Sequence, residues 1–323
     1  MFSNRPLELS SAYRSFFLVL SLIALVAAAA PVLAAAPANP LSVEGPVAAA
    51  YPADPLSGVS VLRAEPIDAG ALRAADPERN LEGEPPRFAL AEPVYITPDS
   101  DGTWEVLDSR YDMWRLRIDA PGALSVNLGF RAFRLPKGAR LTMYPGDVKN
   151  AEDPRGVRTF TARDNRADGA LWTPVVLGED LVVELVVPRE SRHDFDLILT
   201  SVNRGYRFFG EEFDADGDKS GSCNIDVICP EGDDWRREIQ SVGVFTIGGV
   251  WKCTGFMVNN TAQDGRALFM TANHCNLSTS NSASLVVYWN FKSPTCGQQG
   301  GGSLAQFMTG ATFLASGSTS DYN

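Results

Sequence analysis

A histidine next to a cysteine is the feature of this sequence with the clearest chemical potential. His274 lies in residues 271–275 (TANHC), which follow the apolar run 267–270. An imidazole titrates near neutral pH and can act as a general base toward a hydroxyl nucleophile when a third group orients it. Cys253 lies on the preceding predicted strand. A disulfide to Cys275 could hold the strand end beside His274, since neighbouring strands bring Cα atoms within about 7 Å.

Two alternatives compete with this interpretation. Taken alone, a His-Cys pair is a weak signal, and a structural histidine is the simpler explanation. Zinc binding is the main competing chemistry, with ligands drawn from His274 and the nearby cysteines. The spacings argue against zinc because the sequence contains no Cys-x-x-Cys. We therefore expect no metal and no cofactor. The other histidine, His193, lies in the polar stretch 189–193 and is expected in a solvated loop.

The N-terminal segment predicts export. Arg5 and Arg14 precede an apolar stretch over residues 16–30, and small residues suited to cleavage follow before residue 37. The alternative is a single membrane anchor, but the apolar stretch is short for a spanning helix. We expect a signal peptide over residues 1–36, a secreted product, and no stable membrane association after cleavage.

Cysteine usage and charge divide the chain. All five cysteines lie at or after Cys223, where an exported protein can form disulfides, and the odd count suggests a free thiol or a partner elsewhere. The net charge is −11. From Ser220 onward there are 5 basic and 7 acidic residues, which leaves 23 and 32 before it. The acidity therefore belongs mainly to the N-terminal part, and it argues against a nucleic-acid partner.

The pattern along the chain predicts an all-β protein. Residues 37–86 are rich in Pro, Ala and acidic residues, and we expect them to be a largely disordered linker. Short alternating runs and turn signals over 87–209 predict a β-rich domain. A polar, acidic linker over 210–219 precedes the cysteine-containing domain of 220–323, whose apolar runs flank a Gly-Gly hairpin signal. Residues 214–218 resemble a calcium loop only superficially, because the glycine and the final glutamate are misplaced.

Several motifs in the cysteine-containing domain occur together in a known family. From Ser220 onward the sequence resembles the start of the mature part of bacterial lysyl endopeptidases, a branch of the chymotrypsin-like serine peptidases. The matching segments are 221–233 (GSCNIDVICPEGD), 253–255 (CTG) with 258–261 (VNNT), 271–275 (TANHC) and 286–290 (VVYWN). The preceding β-rich segment is similar, more diffusely, to the propeptides of such enzymes. The resemblance implies a β-rich propeptide domain followed by the first, N-terminal β-barrel of a two-barrel fold, with the second barrel missing.

The resemblance also implies roles for individual residues. His274 matches the general base, and Asp321 matches the aspartate that orients it. The implied disulfides are Cys253–Cys275 and Cys229–Cys296. Cys223 would pair with a cysteine in the second barrel, which this sequence does not contain.

Further implications concern processing and partners. The Lys219–Ser220 bond is where a lysine-specific enzyme could release its own mature form, although an ordinary charged linker is the alternative. The implied partners are protein or peptide substrates, together with the propeptide acting in cis on the peptidase domain.

The nucleophile is not found at the position that the family order, His then Asp then Ser, requires. Only Tyr322 and Asn323 follow Asp321. Ser303 follows three glycines, but it precedes the aspartate and lacks a following glycine, so we reject it. The sequence is thus expected to be an N-terminal fragment of the precursor of a secreted serine endopeptidase that cleaves after lysine, inactive as it stands.

Two other functions remain open from the sequence. The first is a non-enzymatic secreted β protein, either a degenerate peptidase or a disulfide-stapled binding module. The second is a free-standing inhibitor or folding assistant that acts through the segment before residue 210.

Overall fold

The structure is a computed structural model that describes residues 39–81, 85–208, 225–297 and 301–323, with side chains left out for 77–81. The predicted signal peptide, the Lys219–Ser220 bond, the acidic stretch 214–218 and Cys223 lie outside the described residues. Neither α-helix in the described part of the chain has the length and apolar content needed to cross a bilayer.

Strands dominate the described residues, which confirms the predicted all-β class. The α-helices are α1 (Ala69–Leu81) and α2 (Arg236–Ile239). The strands are β1 (Val61–Arg63), β2 (Ala89–Ile96), β3 (Thr103–Val106), β4 (Tyr111–Asp119), β5 (Ser125–Arg134), β6 (Arg140–Pro145), β7 (Arg158–Thr161), β8 (Leu171–Trp172), β9 (Val176–Leu177), β10 (Asp180–Pro188), β11 (Asp196–Gly205), β12 (Val242–Ile247), β13 (Trp251–Val258), β14 (Leu268–Thr271), β15 (Val286–Trp289) and β16 (Phe307–Thr309).

Two sheets face each other over one apolar core in the N-terminal part. The first sheet has the order β1-β4-β10-β6-β7, with β3 also paired to β4, and the second has the order β2-β11-β5-β8, with β9 paired to β5. The β1–β4 pairing is parallel and the others are antiparallel. Leu128 from the second sheet and Leu185 from the first are both fully buried in this core. Strand β10 (DLVVELVVP) is apolar almost without interruption because its other face is buried as well, where Val186 packs in a separate cluster with Val47.

A third sheet, β14-β13-β12-β15-β16, occupies the C-terminal part and is antiparallel throughout. The turn between β12 and β13 contains Gly248, Gly249 and Val250, since Ile247 pairs with Trp251, and φ is 59° and 66° at the two glycines. The Val250 N–H donates to Ile247 O at 3.1 Å, so the two glycines are the central residues of a β-turn with positive φ at both, which glycine adopts without steric cost. The connection is one residue longer than the two-residue hairpin that the Gly-Gly pair predicts. Within the described residues the hydrogen-bonded path runs open from β14 to β16, so the finer expectation of a closed first barrel is not shown.

Residues 39–81 differ from the disordered linker that the sequence predicted. They form short 3-10 turns at Pro40–Ser42, Val47–Ala49 and Leu56–Gly58, followed by β1 and α1. Val47 is fully buried, and its N–H donates to Glu184 Oε1 at 2.7 Å. The partner that orders this segment lies 137 residues further along the chain. Local composition therefore gives no sign of it.

Helix α1 is fixed to the second sheet by a buried cluster of charges. Asp68 Oδ1 accepts the N–H of Ala71 in the first turn, which satisfies one free backbone donor. Further along the helix, the carboxylate of Asp76 is 2% exposed and accepts from Tyr206 Oη and Arg207 Nε, both at 2.9 Å. A carboxylate buried this deeply is stable only when it is paired and hydrogen-bonded, as it is here.

The N-terminal part packs directly against the third sheet, and the described residues form one compact unit. Phe88 N–H donates to Val250 O, and Lys252 N–H donates to Pro86 O, both at 2.9 Å. A buried cluster that includes Phe88, Val175, Val286 and Tyr288 fills the contact. The phenol oxygen of Tyr288 accepts the backbone N–H of Val175 at 2.9 Å.

Candidate active site

The loop that carries His274 is fixed at both ends. Strand β14 ends at Thr271, whose hydroxyl donates to Thr254 O on the neighbouring β13 at 2.7 Å. A 3-10 turn over Asn273–Cys275 follows, and Asn276 ends it in the left-handed region at φ 59°. Asparagine tolerates this conformation better than most residues. The turn therefore holds His274 immediately after a paired strand.

The imidazole of His274 contacts the carboxylate of Asp321. His274 Nδ1 lies 2.9 Å from Asp321 Oδ2, and the backbone N–H of His274 donates to Asp321 Oδ1 at 3.0 Å. The side-chain hydrogen bond from His274 is the main cause that lowers the pKa of Asp321, and the backbone hydrogen bond acts in the same direction. An ionised carboxylate only accepts, so Nδ1 carries the proton and Nε2 is the nitrogen able to accept one.

Asp321 is positioned by a short chain reversal. Gly317 and Tyr322 form a β-bridge, and Asp321 lies between them in the left-handed region at φ 48°. Asn323 then pairs with Thr271 through two backbone hydrogen bonds, N–H to O at 2.7 Å and 2.9 Å. The carboxylate is therefore tied to the same strand end that carries His274.

The pair is open to water. The side chain of His274 is 64% exposed and that of Asp321 is 54% exposed. Exposed ion pairs contribute little to stability because water and salt screen them. The contact is therefore better suited to orienting an imidazole than to holding the fold together.

No serine is bonded to this histidine in the described part of the chain, where both hydrogen bonds of His274 go to Asp321. Ser303, which the sequence also led us to reject, accepts the N–H of Ala305 at 3.3 Å in a local turn. His193 is exposed in the turn between β10 and β11. The described residues thus bring together an imidazole and a carboxylate that orients it, and no serine hydroxyl among them contacts the imidazole.

Two disulfides are formed in the structure, and they are the pairs that the resemblance implies. Cys253–Cys275 joins β13 to the turn of His274, with Cα atoms 6.0 Å apart. Cys229–Cys296 joins the start of the cysteine-containing part to the loop after β15, with Cα atoms 4.8 Å apart. The partner proposed for Cys223 stays a prediction, since Cys223 lies outside the described residues.

Cys253, His274 and Cys275 are the residues that could hold a zinc ion in this part of the structure. Ligand atoms of Cys253, His274 and Cys275 lie within 4.8 Å of one another, which is close enough for a shared ion. However, the two sulfurs are joined in a disulfide, and zinc binds the thiolate form of cysteine. A zinc site would first require this bond to be reduced.

Two positioning residues were not singled out from the sequence. The Thr271 hydroxyl ties the strand end to β13, and Asn323 closes the reversal around Asp321 with a further bond from Nδ2 to Leu277 O at 2.7 Å. Thr271 lies in the TANHC motif, so the motif itself was a signal. Nothing in the local sequence marks Asn323, because its partners come from a distant turn.

These features together are typical of one class of protein. A histidine oriented by an aspartate, on an all-β chain and next to a cystine, is the arrangement of base and carboxylate that is typical of serine peptidases.

Comparisons with known proteins agree with that class. The model of the lysyl endopeptidase N-terminal domain matches residues 95–197, and that of the lysyl endopeptidase C-terminal domain matches residues 217–323. Lysyl endopeptidase of Pseudomonas aeruginosa is 29% identical over 284 residues, covering 74% of this chain and 59% of the relative. This chain therefore belongs to the lysyl endopeptidase family. It spans about three fifths of the length of the curated relative that it matches.

Proposed function

We propose that this chain is the precursor region of a secreted serine endopeptidase that cleaves peptide bonds on the carboxyl side of lysine. The observation that carries the proposal is the contact of 2.9 Å between His274 Nδ1 and Asp321 Oδ2. Family membership supports the reaction class, and two disulfides are compatible with an oxidising, extracytoplasmic compartment. The proposed reaction requires no metal ion and no cofactor.

In the proposed reaction, His274 Nε2 takes the proton of a serine hydroxyl as the serine oxygen attacks the scissile carbonyl carbon. Asp321 stays ionised, holds the tautomer through Nδ1–H and stabilises the imidazolium that forms. The imidazolium then gives its proton to the leaving amine, and water attacks the acyl-enzyme with His274 again acting as base. We place the serine beyond Asn323, in line with the family order of His, Asp and Ser.

The finer organisation is part of the same proposal. We propose a signal peptide over 1–36, a propeptide domain centred on 87–209 that acts in cis, and processing at Lys219–Ser220. The region from 220 onward would be the first barrel of a two-barrel peptidase, with Cys223 bonded to the second. The boundaries of the two family matches, 95–197 and 217–323, support this division. The ordered segment 39–81 extends the N-terminal domain beyond the predicted boundary at residue 87.

The test compares the 323-residue chain with the product of the uninterrupted reading frame, using a chromogenic lysyl amide and its arginyl counterpart. We expect no turnover by the 323-residue chain, because a base without a nucleophile cannot form an acyl-enzyme. The longer product should hydrolyse the lysyl amide. It should lose on the order of 10⁶-fold in kcat with His274→Ala and on the order of 10⁴-fold with Asp321→Asn.

The matched control is His193→Ala, which changes the other histidine and should leave turnover unchanged. Turnover by the 323-residue chain that disappears with His274→Ala would show that the nucleophile lies within these residues. A longer product that folds but hydrolyses neither substrate would instead favour a non-enzymatic, disulfide-stapled β protein.

A further inference from the structure

The glycine turn of the β12–β13 hairpin enters a polar recess in the N-terminal part. Asn127 on β5 and Asn203 on β11 are cross-strand partners in the second sheet, and both are essentially fully buried. Asn127 Nδ2 donates to Gly249 O at 3.0 Å, and Asn203 Nδ2 donates to Asn127 Oδ1 at 2.9 Å. Ser201 Oγ completes the chain by donating to Asn203 Oδ1 at 2.8 Å. We call Asn127, Asn203 and Ser201 the asparagine notch.

The notch leaves no room for a side chain at one of the two turn glycines. A Cβ atom built on Gly249 would lie well under 3.0 Å from Asn127 Oδ1 and Asn203 Nδ2, whereas one built on Gly248 meets nothing within 4 Å. Both glycines have positive φ, so a side chain would strain the backbone similarly at either position. The two positions differ mainly in their contact with the notch.

The polar chain in the notch is complete only while the hairpin is seated. The side-chain amide of Asn127 is buried, and its described hydrogen bond as a donor goes to the carbonyl of Gly249. A buried amide donor without an acceptor costs free energy. Moving the turn out of the notch would therefore destabilise the chain, just as a side chain at residue 249 would. Beside the turn, Phe88 and Lys252 pair the hairpin to the N-terminal part through backbone hydrogen bonds, which extends the contact along the strand.

We propose that the asparagine notch is a binding site for a glycine-tipped β-turn, and that it makes the N-terminal part selective for the β12–β13 hairpin. Two features give the selectivity. Any side chain at residue 249 would clash with the notch, and the side-chain amide of Asn127 donates a hydrogen bond to the carbonyl of Gly249. This inference does not depend on the proposed hydrolysis, because it concerns docking and not catalysis. A failure of either proposal leaves the other standing.

A disulfide connects the hairpin that binds in the notch to the candidate active site. Strand β13 carries Cys253, and its disulfide reaches Cys275 next to His274. The seated turn thus helps to hold the hairpin to which the base-carrying turn is stapled.

The competing explanation is docking by apolar contact alone. The cluster around Phe88, Val286 and Tyr288 is buried and non-directional, and it would hold the hairpin whatever residue occupied position 249. Substitution at the two glycines separates these explanations.

The test measures amide hydrogen exchange in the full 323-residue chain with Gly249→Ala and, as the matched control, Gly248→Ala. We expect Gly249→Ala to speed exchange of the Phe88 and Lys252 amides at least tenfold, while Gly248→Ala changes it less than threefold. The Val183 amide, in the first sheet, should be unaffected by either change. Equal effects of the two glycine substitutions on Phe88 and Lys252 would overturn the proposal.

A second comparison places both substitutions in a background without the notch. In Asn127→Ala/Asn203→Ala, the added effect of Gly249→Ala should fall to that of Gly248→Ala, because the clashing atoms are gone. An undiminished effect would contradict recognition by the notch.

If Gly249→Ala alone does not yield a folded chain, Asn127→Ala with the native turn tests the proposal instead. Faster exchange at Lys252, by about threefold or more, supports the proposal, and unchanged exchange overturns it.

Discussion

At the scale of single residues, both carboxylate oxygens of Asp321 accept hydrogen bonds from His274. Oδ2 contacts the imidazole of His274 and Oδ1 accepts its backbone N–H. A carboxylate held at two points cannot rotate freely, so the direction in which it presents its second oxygen is fixed. This restricts the imidazole to one ring orientation and one tautomer, which is what a general base needs before it meets a nucleophile.

The hydrogen bonds from His274 lead to a prediction about acid. The pKa of Asp321 should lie below its ordinary value of 3.8 in the native chain, and His274→Ala should move it part of the way back, since the backbone N–H remains. A lowered folded-state pKa means that the stabilisation is present above 3.8 and is lost as pH falls through the folded value. An NMR titration of the side-chain carboxyl carbon measures this. The same pKa in both proteins would contradict the contact, and His193→Ala is the control.

The residues of the site differ in how far sequence could reveal them. The TANHC motif singles out His274 as a candidate, but a His-Cys pair alone is a weak signal, and the role of general base came from the family resemblance. Asp321 was identified only through the family resemblance, since its neighbours Ser320 and Tyr322 carry no signal. Its position depends on backbone pairing between Asn323 and Thr271, and such pairing between distant segments leaves no local pattern.

At the scale of elements, residues 39–51 form a strap across the first sheet that is held by two buried side chains. Glu184 accepts the N–H groups of Val47 and Ala48 and the hydroxyl of Tyr144, while Arg140 donates to the carbonyls of residues 43 and 45. Burial raises the pKa of Glu184 above its ordinary value, and the three hydrogen bonds and the charge of Arg140 oppose that rise without cancelling it. Burial of Tyr144, and then the charge of Glu184, raise the pKa of that phenol in turn.

The strap should give the chain a recognisable pH dependence. Between 4.5, the ordinary pKa of Glu184, and its raised folded value, the folded chain binds more protons than the unfolded chain. The free energy of unfolding should therefore decrease as pH rises through that window. Glu184→Gln should remove this slope and destabilise the chain by about 1–3 kcal/mol, because an amide NH₂ replaces one acceptor oxygen. Urea unfolding at several pH values measures both quantities.

The control is Glu190→Gln, at an exposed position, which should keep the slope of the free energy of unfolding against pH. An unchanged slope in Glu184→Gln would show that another group titrates.

The strap is also the element that composition described wrongly. Proline, alanine and acidic residues over 37–86 favour disorder when nothing binds them. What orders the segment is a carboxylate on β10 and a guanidinium on β6, which are far along the chain and look like ordinary strand residues. By contrast, β10 and the β12–β13 hairpin were predictable because a mainly apolar run and a Gly-Gly turn are local signals.

At the scale of the whole molecule, the N-terminal part and the third sheet share a buried boundary with directional contacts. Tyr288 and Val175 are at most 1% exposed, and one hydrogen bond joins them across this boundary. An apolar contact alone would tolerate sliding. The added hydrogen bond fixes one position because a shifted arrangement would leave the Val175 N–H without an acceptor.

Removing that acceptor should weaken the whole unit. Tyr288→Phe keeps the ring but leaves the Val175 N–H unsatisfied, so we expect a loss of about 1–3 kcal/mol in the free energy of unfolding. Tyr95→Phe, at a position that is 62% exposed, should change it by less than about 0.5 kcal/mol. Urea unfolding followed by tryptophan fluorescence measures both variants. Equal effects of the two substitutions would mean that the hydrogen bond contributes no more than an exposed hydroxyl.

The seating of Gly249 against Asn127 has a consequence for descent as well as for docking. The two positions are 122 residues apart, yet the space around them admits only certain combinations. A lineage that gains a side chain at 249 must also shorten residues 127 and 203 or move the turn, so these sites are constrained to change together. Between relatives that differ at these positions, exchanging the N-terminal parts would then bring a side chain at 249 against the asparagines, even where each part folds well with its own partner.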